Sequence, residues 1–174
     1  MKHLILCTLA CGSLYSNIEE HFQNSLWNRD QQPIIDFINT KINPTTVLEI
    51  GMDFGCVILC SKTLSARSIQ SVGIKKGYWH LSKALGRRVN FSRVDSRVLH
   101  VGKKPKYHLI VLNGIFHHRF MDLSFAFKHS RNILMTSCND KEVSKYLKQF
   151  LGKNKHVKIT KEWPDCNGTI LLTQ

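Results

Sequence analysis

The residues best suited to ligand chemistry gather around one short segment, Val47-Leu48-Glu49-Ile50-Gly51-Met52-Asp53-Phe54-Gly55. Glycine at 51 and 55 lets the backbone approach a ligand without a Cβ in the way. Glu49, one residue before the first of them, would order the loop. A glycine loop by itself says little, but one that follows an apolar strand and leads into a helix carries weight. A second group lies further along: Asp95-Ser96, and then Leu109-Ile110-Val111-Leu112-Asn113-Gly114-Ile115-Phe116-His117. A neutral imidazole at His117 or His118 could serve as acid or base near pH 7; no carboxylate partner is visible, and a helix-entry or surface position suits both equally. Lys75-Lys76 closes another apolar stretch and reads otherwise as a solvated strand end. The six cysteines, Cys7, Cys11, Cys56, Cys60, Cys138 and Cys166, have neither CxxC nor zinc-finger spacing, so no metal site is expected.

These groups need a scaffold, and the apolar pattern supplies one. Residues 17–43 read as helical, with a helix beginning at Asp30 or Gln31, Pro33 in its first turn, and Pro44 ending the stretch. Thr45–Ile50, Ile69–Ile74 and Val89–Val94 have strand length and β-branched or alternating character. Tyr107–Leu112 is apolar throughout, as strands buried in a parallel sheet are. Helices are expected over 56–67, 77–86, Phe120–Ser130 and Lys141–Leu151, the last capped by Asn139 or Asp140. Asn132–Thr136, Val157–Thr160 and Thr169–Thr173 complete the strands, and Pro164-Asp165-Cys166-Asn167-Gly168 is turn chemistry for a closing hairpin. Alternating strands and helices predict an α/β domain with a mostly parallel sheet, in which a ligand sits outside the carboxyl ends of the strands.

The chain has 174 residues, one domain's length. With 43% apolar and 21% charged residues it can bury a core. Its net charge of +13 is uneven: residues 1–60 hold three basic and six acidic side chains, and residues 61–174 hold 22 and six. That asymmetry admits an anionic partner, although the charges are scattered along the sequence and read first as a soluble basic surface. The aromatics near basic residues, Tyr78, Trp79, Phe91 and Phe120, sit at core-like spacing, which leaves nucleic acid the less favoured partner.

Met1-Lys2-His3, the apolar Leu4–Ala10 and the small residues up to Ser16 follow the layout of a secretory signal peptide over residues 1–16. Export to a secreted or periplasmic location is therefore expected; a buried first element of a cytoplasmic protein is the other reading. Residues 17–45 form an N-terminal helical segment and 46–174 the α/β domain. No apolar run reaches the ~18–20 residues of a membrane span.

From about residue 30 onward the pattern resembles a class I S-adenosylmethionine-dependent methyltransferase, on the strength of Glu49-Ile50-Gly51, the antiparallel terminal hairpin and Leu109–His117. The resemblance implies a Rossmann-like three-layer sandwich with a mostly parallel seven-stranded sheet ending in a β-hairpin. It implies S-adenosylmethionine as cofactor, held at Glu49 (which would meet the ligand's amino group if it does not order the loop), Gly51, Gly55, the Lys75 position, Asp95 and Ser96, with Asn113 and His117 as catalytic candidates. Three departures stand out. Lys75-Lys76 replaces the acid that accepts from the ribose hydroxyls, which a lysine cannot do. Asn113 stands where Asp is frequent. The glycine loop lacks its middle glycine. The implied functions are methyl transfer to a small-molecule acceptor or, with the site eroded, non-catalytic binding of an anionic ligand or partner. The family topology would also set Cys138 and Cys166 on one edge of the sheet, either bridged in an oxidising compartment or as two thiols in neighbouring turns.

Overall fold

The computed structural model describes residues 26–51, 66–73, 89–93, 95, 107–113, 119–166 and 168–174. The expected signal segment at 1–16, residues 56–65 of the helix expected over 56–67, the helix over 77–86, and Cys56 and Cys60 lie outside the described residues; Ala66 and Arg67 are described and lead into a strand outside any helix.

Strands β1 (Thr46–Ile50), β2 (Ser68–Gly73), β3 (Val89–Arg93), β4 (Leu109–Leu112), β5 (Asn132–Met135), β6 (Lys158–Trp163) and β7 (Thr169–Thr173) form one sheet in the order β3-β2-β1-β4-β5-β7-β6. β1 to β5 run parallel, and β7 is antiparallel to both β5 and β6, so the sheet is mixed. Successive strand residues point to opposite faces, and each face has its own core. Val47, Ile69, Leu109, Val111, Leu134 and Leu171 pack with Ile34, Ile35 and Ile38. Leu48, Ile50, Ile110, Leu112, Ile133, Met135, Ile170 and Leu172 pack with Leu123, Ala126, Val143, Leu147 and Phe150. Helix α1 (Leu26–Phe37) covers the first face; α2 (Arg119–His129) and α3 (Lys141–Lys153) cover the second.

Helix α1 starts earlier than the sequence suggests, so Pro33 lies in its interior rather than in its first turn. The ring removes one backbone donor there, and burial of Ile34, Ile35 and Ile38 outweighs that loss. The helix widens into a π-turn at Ile38–Ile42 and stops at Asn43, whose left-handed backbone (φ 44°) lets its N–H reach the Ile38 carbonyl at 2.7 Å. Asp140 caps α3, its carboxylate accepting from the N–H groups of Glu142 (2.9 Å) and Val143 (3.2 Å).

The loop after β5 and the β6–β7 turn meet, the Cys138 N–H donating to the Gly168 carbonyl at 3.2 Å. Cys138 and Cys166 therefore share the carboxyl edge of β5, yet they are not bridged. The reason is the sheet between them: Cys166 belongs to the α1-side core and Cys138 packs on the α2–α3 side.

Candidate functional site

Between β1 and β4 the strand order turns back on itself, and the carboxyl ends of those strands carry the polar residues picked out above. The Asn113 N–H donates to the Ile50 carbonyl (2.8 Å), the Gly51 N–H to Val72 (2.9 Å) and the Thr136 N–H to Leu112 (3.1 Å). These bonds extend the ladders by one residue and bring Gly51, Asn113 and Thr136 to one edge. Gly51 has φ 95°, a conformation that L side chains rarely adopt, so glycine is required at the point where β1 opens into its loop.

Glu49 is fully buried on the α1 side of the sheet, opposite Ser71 of β2 in the parallel register. The Ser71 hydroxyl, equally buried, donates to Glu49 Oε2 at 2.5 Å. A carboxylate held this way ties β1 to β2 directly beneath Gly51.

Asn113 is 9% exposed at the end of β4. Its Oδ1 accepts from the Thr136 hydroxyl at 2.7 Å, and that hydroxyl also lies 3.4 Å from the Leu112 carbonyl. Asn113 Nδ2 is buried with no hydrogen-bond partner among the described residues. Turning the amide over would exchange the two atoms and still leave one polar atom unanswered. Such a group costs free energy unless something accepts from it.

Asp95 is half-buried two residues beyond the end of β3. Gly55, Lys75, Ser96 and His117 lie outside the described residues. Of the residues singled out from the sequence, the structure thus brings Glu49, Gly51 and Asn113 to the ends of adjacent strands. It adds two that sequence reasoning passed over, Ser71 and Thr136. Both read there as ordinary strand residues; the available signal was a hydroxyl at a strand position whose neighbour in register carries a carboxylate or an amide.

No protein-family model matches the chain, and no curated protein matches it. Solved structures do. An O-methyltransferase from Bacillus cereus in complex with SAH superposes with a TM-score of 0.63 at 13% identity, over 95% of this chain and 89% of that one. The ribosomal protein L11 methylase from Lactobacillus delbrueckii subsp. bulgaricus gives 0.60 at 13% identity, over 81% and 75%. The fold is that of the class I methyltransferases.

The residues present would answer part of what a ligand such as the SAH of the Bacillus cereus structure asks of a site. A glycine with the required backbone closes β1, and an unanswered buried amide group closes β4. At the end of β2, where a ribose diol would need an acceptor, the sequence runs from Gly73 through Ile74 to Lys75-Lys76.

Proposed function

We propose that this protein binds S-adenosylmethionine weakly at the carboxyl edge of β1 and β4 and transfers its methyl group to a small-molecule acceptor. The observation that carries the reading is the convergence of Gly51 (φ 95°) and the buried, unanswered Nδ2 of Asn113 at the turning point of the strand order, where open α/β sheets take their ligands. Gly51 and Asp95 would hold the cofactor, Glu49 would fix the loop above Ser71, and Asn113 would face the reacting end with His117 near it in sequence. Methyl transfer from a sulfonium works mainly by aligning nucleophile and methyl group, so few side chains are obligatory.

Lys75-Lys76 favours a second reading, a non-catalytic domain of the same fold that binds an anionic ligand. Calorimetry with S-adenosylmethionine and S-adenosylhomocysteine separates the two. A missing charge-assisted hydrogen bond is worth about 1.5–3 kcal/mol, so the natural protein should bind weakly and Lys75→Asp should tighten binding about tenfold or more. Low-micromolar binding by the natural protein, or weaker binding by the variant, would overturn this account of the site. Silence from both proteins would leave the non-catalytic reading in possession.

A further inference from the structure

Among the described residues, one group of the basic side chains is ordered along a single helix face. At ~100° per residue, Val143, Leu147 and Phe150 of α3 fall on one side of the helix and are buried against the sheet. Lys141, Lys145 and Lys148 fall together on the opposite side, and all three are exposed. Gly152 continues their row, with open space where a Cβ would stand. The row therefore runs about 16 Å along the helix. Beyond it come Lys155, His156, Lys158 and Lys161, also exposed, and from 141 to 161 the sole carboxylate is Glu142.

Helix stability does not ask for this arrangement. Lys141 stands in the first turn, at the positive end of the helix dipole, where a cation is disfavoured. Like charges three and four residues apart on a helix repel one another, and a line of cations about one turn apart (~5–6 Å between Cβ atoms) suits a polymer of regularly spaced negative charges. A membrane surface suits it less. The apolar face of α3 is spent on the core, so no apolar side chain of the helix is left to enter a bilayer.

We infer that the exposed lysine face of α3 is a docking track for a nucleic acid strand, held by its phosphodiester backbone. The track starts at Lys141, six residues beyond the end of β5 and so on the carboxyl side of the sheet, and leads away from it. No aromatic side chain shares the row, so it reads charge and not bases. This inference does not depend on methyl transfer, and the lysines are remote in role from Gly51 and Asn113.

The test is fluorescence anisotropy of the full chain with a labelled single-stranded RNA of mixed sequence and the DNA of the same sequence. Both should bind, alike, with affinity falling steeply as salt rises. Lys145→Ala with Lys148→Ala should weaken binding about tenfold at low salt and flatten the log–log salt slope by about 1.4, two phosphate contacts at ~0.7 each for a single strand. Lys41→Ala with Arg67→Ala removes the same charge from exposed positions elsewhere and should change affinity less than twofold. Gly152→Lys, extending the row into open space, should tighten binding. Equal losses in the two double variants would reduce the effect to net charge and overturn the track. So would an unchanged Lys145/Lys148 variant, a marked RNA or DNA preference, or anionic phosphatidylserine vesicles competing the strand off through the same two lysines.

Discussion

The two ends of the β1–β4 pair are built from the same kinds of polar residue and finish in opposite states. At the amino end the bonds of Thr45, His108, Asn132 and Ser130 close on the protein itself. The Thr45 N–H donates to His108 Nδ1 (3.2 Å), the His108 N–H to the Thr46 carbonyl (3.0 Å), Asn132 Nδ2 to the His108 carbonyl (3.0 Å), and the Ser130 hydroxyl to the Asn132 carbonyl (3.0 Å). At the carboxyl end Asn113 finds Thr136 with one amide atom and, among the described residues, nothing with the other. Polar groups that answer one another need no further role than holding strands in register. An amide kept buried and half-answered costs stability, and at the turning point of the strand order the natural source of repayment is a bound ligand. Gln31 Oε1 on α1 is also buried without a hydrogen-bond partner, but no glycine of special conformation and no reversal of strand order accompanies it.

The largest expected effects come from two glycines on the carboxyl side with the same left-handed requirement and different surroundings. Gly168 has φ 61°, and a Cβ there would strike the side chain and the backbone nitrogen of Asn139. Gly168→Ala should cost about 2–3 kcal/mol by urea denaturation, strain and clash together, and leave cofactor affinity per folded molecule unchanged. Gly51→Ala should cost about 1–2 kcal/mol for its backbone alone and abolish S-adenosylhomocysteine binding in calorimetry. If both variants merely lose stability, the carboxyl edge of β1 is scaffold like the β6–β7 turn.

The paired amides give a smaller and sharper contrast. Asn132→Ala removes a closed bond at the amino end and should cost about 0.5–1.5 kcal/mol, with no effect on ligand binding. Asn113→Leu keeps the branching at Cγ with somewhat larger branches, discards the unanswered atom and leaves the Thr136 hydroxyl its Leu112 carbonyl. Its stability should match or exceed that of the natural protein, while S-adenosylhomocysteine affinity falls about tenfold, ~1.4 kcal/mol. A destabilised Asn113→Leu with unimpaired binding would make Asn113 one more structural amide and remove the difference between the two ends.

Where a single local rule decides the structure, the sequence announces it. β7 has the expected limits, Thr169–Thr173, because every position from Thr169 to Leu172 is buried; α3 starts at Lys141 because Asp140 caps it. β6 runs three residues past its expected end at Thr160, through Lys161, Glu162 and Trp163. An edge strand of exposed charged residues carries no alternating signal, and the register shift between Ile159 and Lys161 breaks what periodicity remains. At the site, Gly51 and Glu49 were legible by type and place. The Ser71 bond to Glu49, the Thr136 bond to Asn113 and the opposite faces taken by Cys138 and Cys166 were not, since each depends on which strands become neighbours. The lysine row on α3 shows the same limit from the surface: its spacing means something only once the buried side of the helix is known.

The smallest expected effect belongs to the amino end and bears on whether that end is as closed as its geometry implies. The Tyr107 hydroxyl donates to Gln70 Oε1 at 2.8 Å, joining the segment before β4 to β2 across β1, and burial pushes the phenol above its ordinary value of 10. Tyr107→Phe should lower stability by about 0.5–1.5 kcal/mol at neutral pH, leaving Gln70 without this donor. The pH dependence follows from the direction of the shift. Below about pH 10 the phenol is protonated in folded and unfolded chains alike, so its contribution is constant. Above that value the unfolded chain gives up the proton first, binds fewer protons than the folded one, and is favoured by each further rise. The stability gap between the natural protein and Tyr107→Phe should therefore be level from about pH 7 to 9.5 and narrow beyond it, as urea midpoints at matched pH would show. The comparison cancels the lysines, which both proteins share. A gap that stays level above pH 10 would mean that the phenolate is as well solvated in the folded chain as in the unfolded one, and the amino end would then be open to water at the position where its polar groups are drawn most tightly together.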